Sequence, residues 1–262
     1  MKLGFIGCGA MAQAMIKAVL SDGADYAIAF SQRNESHGRA FAEEWGLTFM
    51  PDNAALYETS DAVVLAVKPQ QLEAVAADLR SSHATPLVLS ILAGTPLARL
   101  AELVRHDRLI RVMPNVAASV GASMSIMAPN PGLDDGDIKW AEGFLTTIGR
   151  TVILDEASLD KAGTVNGCGP AFFFQILEAC SDALVALGIP RAVSYEIAAQ
   201  TMKGSAELAL QDGAHPACLK DKVTSPGGTT IAGICAMEKA GVRSGLIDAV
   251  MASYAQTLKI SQ

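Results

Sequence analysis

The chain has 262 residues, half of them apolar, and 27 acidic against 20 basic side chains give a formal net charge of −7. That length suits one large domain or two ordinary ones with a sizeable core, and the acidic balance argues against a nucleic acid or an anionic membrane as partner. No uninterrupted apolar run approaches the ~20 residues of a membrane span, and the five scattered cysteines (Cys8, Cys168, Cys180, Cys218 and Cys235) form neither a disulfide framework nor a metal pair, so a reducing, cytoplasmic compartment and no metal are expected.

Residues 3–6 read as a short buried strand that ends at Gly7, and Gly7-x-Gly9-x-x-Ala12 then opens a helix. In a dinucleotide fingerprint the first glycine permits the tight turn, the second lets a pyrophosphate approach bare backbone, and the small third residue lets helix and strand lie close. Free N–H groups at the helix start favour an anion there. A plain strand–turn–helix is the competing reading. A signal peptide, with Ala12-Gln13-Ala14 as its cleavage site, is disfavoured because Gly4, Gly7 and Gly9 interrupt the apolar core it needs.

Asp22-Gly23 stops that helix, and residues 26–30 form a second strand. An acid at the end of this strand binds the ribose hydroxyls in NAD enzymes. Here Ser31-Gln32-Arg33-Asn34 follows, and Ser31 and Arg33 suit a 2′-phosphate, which favours NADP(H). Arg33 read as a loop cap, with Glu35 nearby, leaves NAD(H) open.

A helix over 35–45, a short strand over 47–50 and a helix starting at Pro51-Asp52-Asn53 lead to the apolar run 62–67, patterned as a central parallel strand. Ligands bind at the carboxyl ends of such strands, so Ala66, Val67 and Lys68 should line a crevice; an ordinary strand-end lysine is the plainer reading of Lys68. Helix 70–80 and strand 87–92 follow, and Thr95 with Pro96 is expected to cap a helix over 96–104. Strands at 109–112, 122–127 and 151–154, with a helix over 135–147, complete an α/β doubly wound sheet.

From Glu156 the pattern is helical only, with helices expected over 156–165, 170–187, 194–210, 230–240 and 244–259. The division is therefore a dinucleotide-binding domain over 1–155 and a helical domain over 156–262. Helix 171–187 is apolar on most of its circumference (Phe172, Phe173, Phe174, Ile176, Leu177, Leu184, Leu187), and such a helix must be buried on all sides. The helical domain is thus expected to pack against a second copy, a monomer with this helix at its centre being the alternative.

Before the fourth helix stands Thr224-Ser225-Pro226-Gly227-Gly228-Thr229-Thr230. Gly227 and Gly228 leave N–H groups unshielded, and Ser225, Thr229 and Thr230 add hydroxyls, a cradle for a carboxylate or a phosphate. A glycine turn with a threonine N-cap explains the same residues.

Five segments in this order, Gly7-Cys8-Gly9-Ala10-Met11, Ala66-Val67-Lys68-Pro69, Arg111-Val112-Met113-Pro114-Asn115, Gly167-Cys168-Gly169-Pro170-Ala171 and Ser225-Pro226-Gly227-Gly228-Thr229-Thr230, resemble the Δ1-pyrroline-5-carboxylate reductase family over almost the whole chain. The family often has Ser-Gly-Ser-Gly-Pro-Ala where this chain has Asn166-Gly167-Cys168-Gly169-Pro170-Ala171. The resemblance implies that Ile6, Gly7, Cys8, Gly9, Ala10 and Met11 hold the pyrophosphate. It implies that Ser31 and Arg33 face the adenosine end, and that Asn53, Ala66, Val67 and Lys68 border the cofactor. It further implies that Ser225, Gly227, Gly228, Thr229 and Thr230 take the substrate carboxylate, with Thr230 bonded to the ring nitrogen, and that the helical domain forms a homodimer that can assemble further. The implied reaction is hydride transfer from NADPH to the C=N carbon of pyrroline-5-carboxylate, giving proline. It needs positioning more than a strong base. The alternatives are another cyclic-imine reductase, a β-hydroxyacid dehydrogenase with Lys161 as its base, and a catalytically silent NADPH-binding regulatory paralogue.

Overall fold

The computed structural model describes residues 1–260. It forms two compact units, one of Met1–Gly167 with the chain from Tyr254 onward, the other of Cys168–Ser253.

The first unit alternates strand and helix: β1 (Lys2–Ile6), α1 (Ala10–Asp22), β2 (Ala27–Ser31), α2 (Glu35–Trp45), β3 (Thr48–Phe49), α3 (Asn53–Thr59), β4 (Ala62–Leu65), α4 (Leu72–Leu79), β5 (Leu87–Ser90), α5 (Leu97–Val104), β6 (Leu109–Met113), β7 (Ser123–Pro129), α6 (Asp135–Thr146), β8 (Gly149–Ile153) and α7 (Glu156–Gly163). Local chemistry sets the ends. Gly23 closes α1 in the left-handed region, while Asn34 and Asp52 cap α2 and α3 with their side chains.

The strands form one sheet in the order β3-β2-β1-β4-β5-β6-β7-β8, parallel except between β6 and β7, which run antiparallel. This is the Rossmann-type doubly wound arrangement. Its strand order reverses between β1 and β4, and a crevice opens there at the carboxyl ends of the strands. The central strands are apolar throughout because both faces are covered. Leu3, Phe5, Val64 and Leu89 enter the core on one face, and Ile6, Val63, Leu65 and Val88 the core on the other.

Two expectations are corrected. Helix α5 is capped at Pro96, whose extended backbone sits outside the helix, and not by Thr95. The Leu97 N–H donates instead to the Glu156 carboxylate, 2.7 Å away and 59 residues on. The expected helix over 156–165 is α7 followed by a π-helical turn over Thr164–Cys168.

The second unit contains α8 (Gly169–Ala186), α9 (Arg191–Asp212), α10 (Pro216–Lys222), α11 (Thr229–Lys239) and the start of α12 (Val242–Ile260). No strand occurs there among the described residues. The short helix α10, started by Pro216 and capped by His215, is absent from the sequence reading. Helices α8 and α9 pair across a four-residue link, where Gly188 takes a positive φ and Arg191 reaches back to Ser181 and Asp182. From α7 through the π turn to α8 the chain is one helical run, Glu156–Ala186, long and apolar enough by composition to cross a membrane.

Candidate functional site

The turn from β1 into α1 is built on two glycines with different jobs. Gly7 has φ +91°, its N–H donates to the Ser31 carbonyl at 3.0 Å, and a Cβ there would lie 2.8 Å from the Ala66 carbonyl oxygen and from Val67 Cγ1. This glycine serves the fold. Gly9 has ordinary extended backbone, caps α1 without a side chain, and faces open space within 4 Å of where a Cβ would stand. The N–H groups that open α1 thus remain available to a ligand. Ala12 is buried against the strand.

A cleft of about 480 Å³ opens at this turn, within the usual size of ligand sites, roughly 300–1,000 Å³. Of the residues expected to hold a cofactor, Gly7, Cys8, Gly9, Ser31, Arg33, Asn53, Ala66, Val67 and Lys68 line it. Ile6, Ala10 and Met11 do not: Ile6 is fully buried in β1, and the other two lie in the first turn of α1. Gln32, Asn34, His37, Gln71 and Asp78 also line the cleft and are missing from the sequence reading. The first three share the loop and helix start that carry Arg33, so they were within reach of it.

The polar contacts within the cleft are ordered. Ser31 Oγ donates to Asn53 Oδ1 at 2.6 Å, and Asn53 Nδ2 donates to Asp78 Oδ2 at 2.9 Å. A carboxylate only accepts, so Asp78 fixes which way the Asn53 amide points. Burial pushes the Cys8 thiol up to about 11, against a smaller opposing effect of Gln13, so this thiol stays protonated at neutral pH and is no nucleophile. The residues present fit a dinucleotide: a bare backbone turn at a helix start, open space above Gly9, and the cations Arg33 and Lys68 on the same walls.

The second motif forms a turn closed by the Gly228 N–H donating to the Ser225 carbonyl at 3.1 Å, with Gly227 at φ +69°. Gly228 is the N-cap of α11 and makes no side-chain cap. The threonine N-cap reading is therefore set aside, since Thr229 and Thr230 are the first two helical residues. Ser225, Gly227, Thr229 and Thr230 are exposed. The turn thus presents uncapped N–H groups and hydroxyls together, with the positive end of a helix dipole behind them.

The segment from Arg111 to Asn115 has a structural role in the first unit. Arg111 is 2 % exposed and bonds Glu156 at 3.0 Å and Asp160 at 2.7 Å, tying β6 to α7. Asn115 Nδ2 donates to Asn166 Oδ1 at 2.9 Å, and Asn166 Nδ2 donates to the carbonyls of Met113 and Met124 at 2.6 and 2.8 Å. The π turn is thereby fastened to the ends of β6 and β7.

Comparison with known proteins adds two family matches. The family described as pyrroline-5-carboxylate reductase dimerisation matches residues 156–260, and the one described as NADP oxidoreductase coenzyme F420-dependent matches residues 2–94. A pyrroline-5-carboxylate reductase of Synechocystis sp. is 39% identical over 264 residues, covering 100% of this chain and 98% of the relative. Among solved structures, a pyrroline-5-carboxylate reductase from Coxiella burnetii superposes with TM-score 0.91 at 29% identity, over 99% of this chain and 98% of that one. The Plasmodium falciparum pyrroline carboxylate reductase with NADP bound superposes with TM-score 0.89 at 27% identity, over 100% and 98%.

Proposed function

The chain belongs to the pyrroline-5-carboxylate reductase family, and from that premise we propose how its own residues carry the reaction. It is an oxidoreductase acting on a C=N bond, reducing 1-pyrroline-5-carboxylate to proline with a reduced nicotinamide dinucleotide, the last step of proline biosynthesis. The observation that carries the reading is its likeness to such reductases along its full length. The two uncapped glycine turns, at Gly9 and at Gly228, support it physically.

Bound NADP(H) supplies the hydride. Around it, the backbone from Ile6 to Met11 binds the pyrophosphate, with the contact itself at Gly7, Cys8 and Gly9. Arg33 and Ser31 serve the adenosine end, and Asn53, Ala66, Val67 and Lys68 border the dinucleotide. NADP(H) is the preferred form, and Glu35, beside the loop that carries Arg33, leaves NAD(H) open as well. The turn from Ser225 to Thr230 takes the substrate carboxylate on its N–H groups, and Thr230 Oγ1 holds the ring nitrogen and its proton. An iminium carbon is already electrophilic, so the protein works by orientation and needs no strong base. Lys161, the base a hydroxyacid dehydrogenase would need, is exposed in the last turn of α7.

The protein self-associates through the dimerisation segment that its family match covers. We assign the contact to the helical domain from residue 156 onward, as a homodimer able to assemble further, acting in the cytoplasm on a small-molecule substrate with neither nucleic acid nor membrane as partner. The apolar run Glu156–Ala186 lies inside that dimerisation match, and a partner copy is the surface we assign to it. The test is absorbance at 340 nm, the reduced-nicotinamide band, with pyrroline-5-carboxylate and each cofactor in turn. Oxidation of NADPH is expected, and flat traces with both cofactors would point to the silent paralogue. Thr230→Ala should lower kcat by about 10²-fold while the Kd for NADPH stays unchanged; unaltered turnover removes Thr230 from the mechanism.

A further inference from the structure

Asp78 stands in the dinucleotide cleft with no part in the roles above. It is exposed on α4, lines the cleft with Arg33 and Asn53, and accepts the Asn53 amide at 2.9 Å. Two consequences follow. The first concerns hydrogen-bond polarity. With Asn53 Nδ2 turned to the carboxylate, Oδ1 faces Ser31 and takes the hydroxyl proton at 2.6 Å. Ser31 then has lone pairs left but no donor. A phosphate oxygen needs a donor, whereas a ribose hydroxyl is satisfied by an acceptor. The second concerns charge. A carboxylate on the wall of a cleft that holds a polyanion disfavours each added negative group near it.

Resting on the dinucleotide reading, we infer that Asp78, acting through Asn53 and Ser31, is a specificity-determining residue that opposes the 2′-phosphate, so that selectivity for NADPH over NADH is lower than Arg33 alone would give. An acid at the end of β2 would play the hydroxyl-reading part in an NAD enzyme. Here β2 runs into Ser31 and Gln32, and the acid comes from α4 and works through an amide.

The measurement is the Kd of NADPH and of NADH for the full-length protein without substrate, read from reduced-nicotinamide fluorescence. Asp78→Asn should raise the NADPH:NADH affinity ratio by about five-fold, the size of a water-screened contact between two charges. Asp78→Glu, which keeps the acceptor and the charge, should restore the wild-type ratio. Glu73→Gln removes a charge from the same helix at a position paired with Arg99 and away from the cleft, and should leave the ratio where it is. If Asp78→Asn folds poorly, Asp78→Ser makes the same test. An unmoved or lowered ratio in the Asp78 variants overturns the inference, as does an equal shift in Glu73→Gln, which would reduce the effect to bulk charge. If the wild type binds neither dinucleotide, the cofactor reading falls and this inference with it. Binding of both with an unmoved ratio overturns only the inference.

Discussion

In the Rossmann-type unit Leu3, Phe5, Val64 and Leu89 are wholly buried, whereas in the helical unit α8 leaves Phe173 49 % and Phe174 63 % exposed, and Leu187 just past its end is 79 % exposed. The residues buried in the helical unit are Gly169, Ser181, Ser194 and Ala198 among those described, all of them small. Apolar side chains alone thus do not make a core; what matters is whether the chain supplies both sides of each layer. The central strands of the sheet have apolar cores on both faces and complete their burial within the unit. The helical unit presents more apolar surface than its own helices cover, and exposed patches of that kind mark contact surfaces. The family match for dimerisation covers this unit.

Three variants test that contrast. The largest effect is expected where the helical unit relies on a partner. Phe174→Asp places a charge on the exposed apolar face and should cost association about 2 kcal/mol or more, the range of an interface hot spot. Sedimentation should then show a smaller species, with a melting temperature that falls on dilution. An assembly of unchanged size and stability would leave the face without a partner. A smaller effect is expected in the cleft. Gly9→Ala meets open space, so it should fold as the wild type does and lose about ten-fold in NADPH affinity, or ~1.4 kcal/mol. Gly7→Ala should instead lower the unfolding free energy, because it is strained by its φ and meets the Ala66 carbonyl. Equal destabilisation by the two would dissolve the distinction between a fold glycine and a ligand glycine.

The smallest effect is a pH dependence confined to the self-sufficient unit. His106 Nε2 lies 2.5 Å from the Tyr57 hydroxyl, and the Arg108 N–H donates to its Nδ1. Burial first, then Arg108, hold His106 below the ordinary histidine range, against an opposing effect of Asp107. The unfolded chain takes up this proton more readily than the folded one. The stability His106 confers is therefore complete above about pH 6.5 and is lost as pH falls from there through the folded value. Urea unfolding between pH 7.5 and 5 should show the loss, and His106→Gln should flatten that part of the curve.

Much of the fold was legible because periodicity and punctuation agree locally. Helix α2 falls on residues 35–45 as read, and Gly23 and Gly241 stop their helices at the expected places. What escaped depends on distant partners. The start of α5 is satisfied by Glu156, 59 residues away, so Thr95 looked like the cap. Helix α10 is seven residues with no apolar repeat to reveal it. In the cleft, the turn glycines and the end of β4 announced themselves. Asp78 did not, because its place on the wall comes from α4 lying beside Asn53, and nothing in the spacing of an amphipathic helix marks that.

The π turn at Thr164–Cys168 bears on which changes in length the chain tolerates. Its Asn166 amide is committed to two strand carbonyls and to Asn115, so this point of the helical run has a fixed address on the sheet. One residue more or fewer between Glu156 and Asn166 would turn that amide by about 100° around the helix axis and pull it off both carbonyls. Insertions and deletions should therefore be rejected in this stretch, whereas the same edit in the surface loop at Pro131-Gly132 disturbs no such anchor.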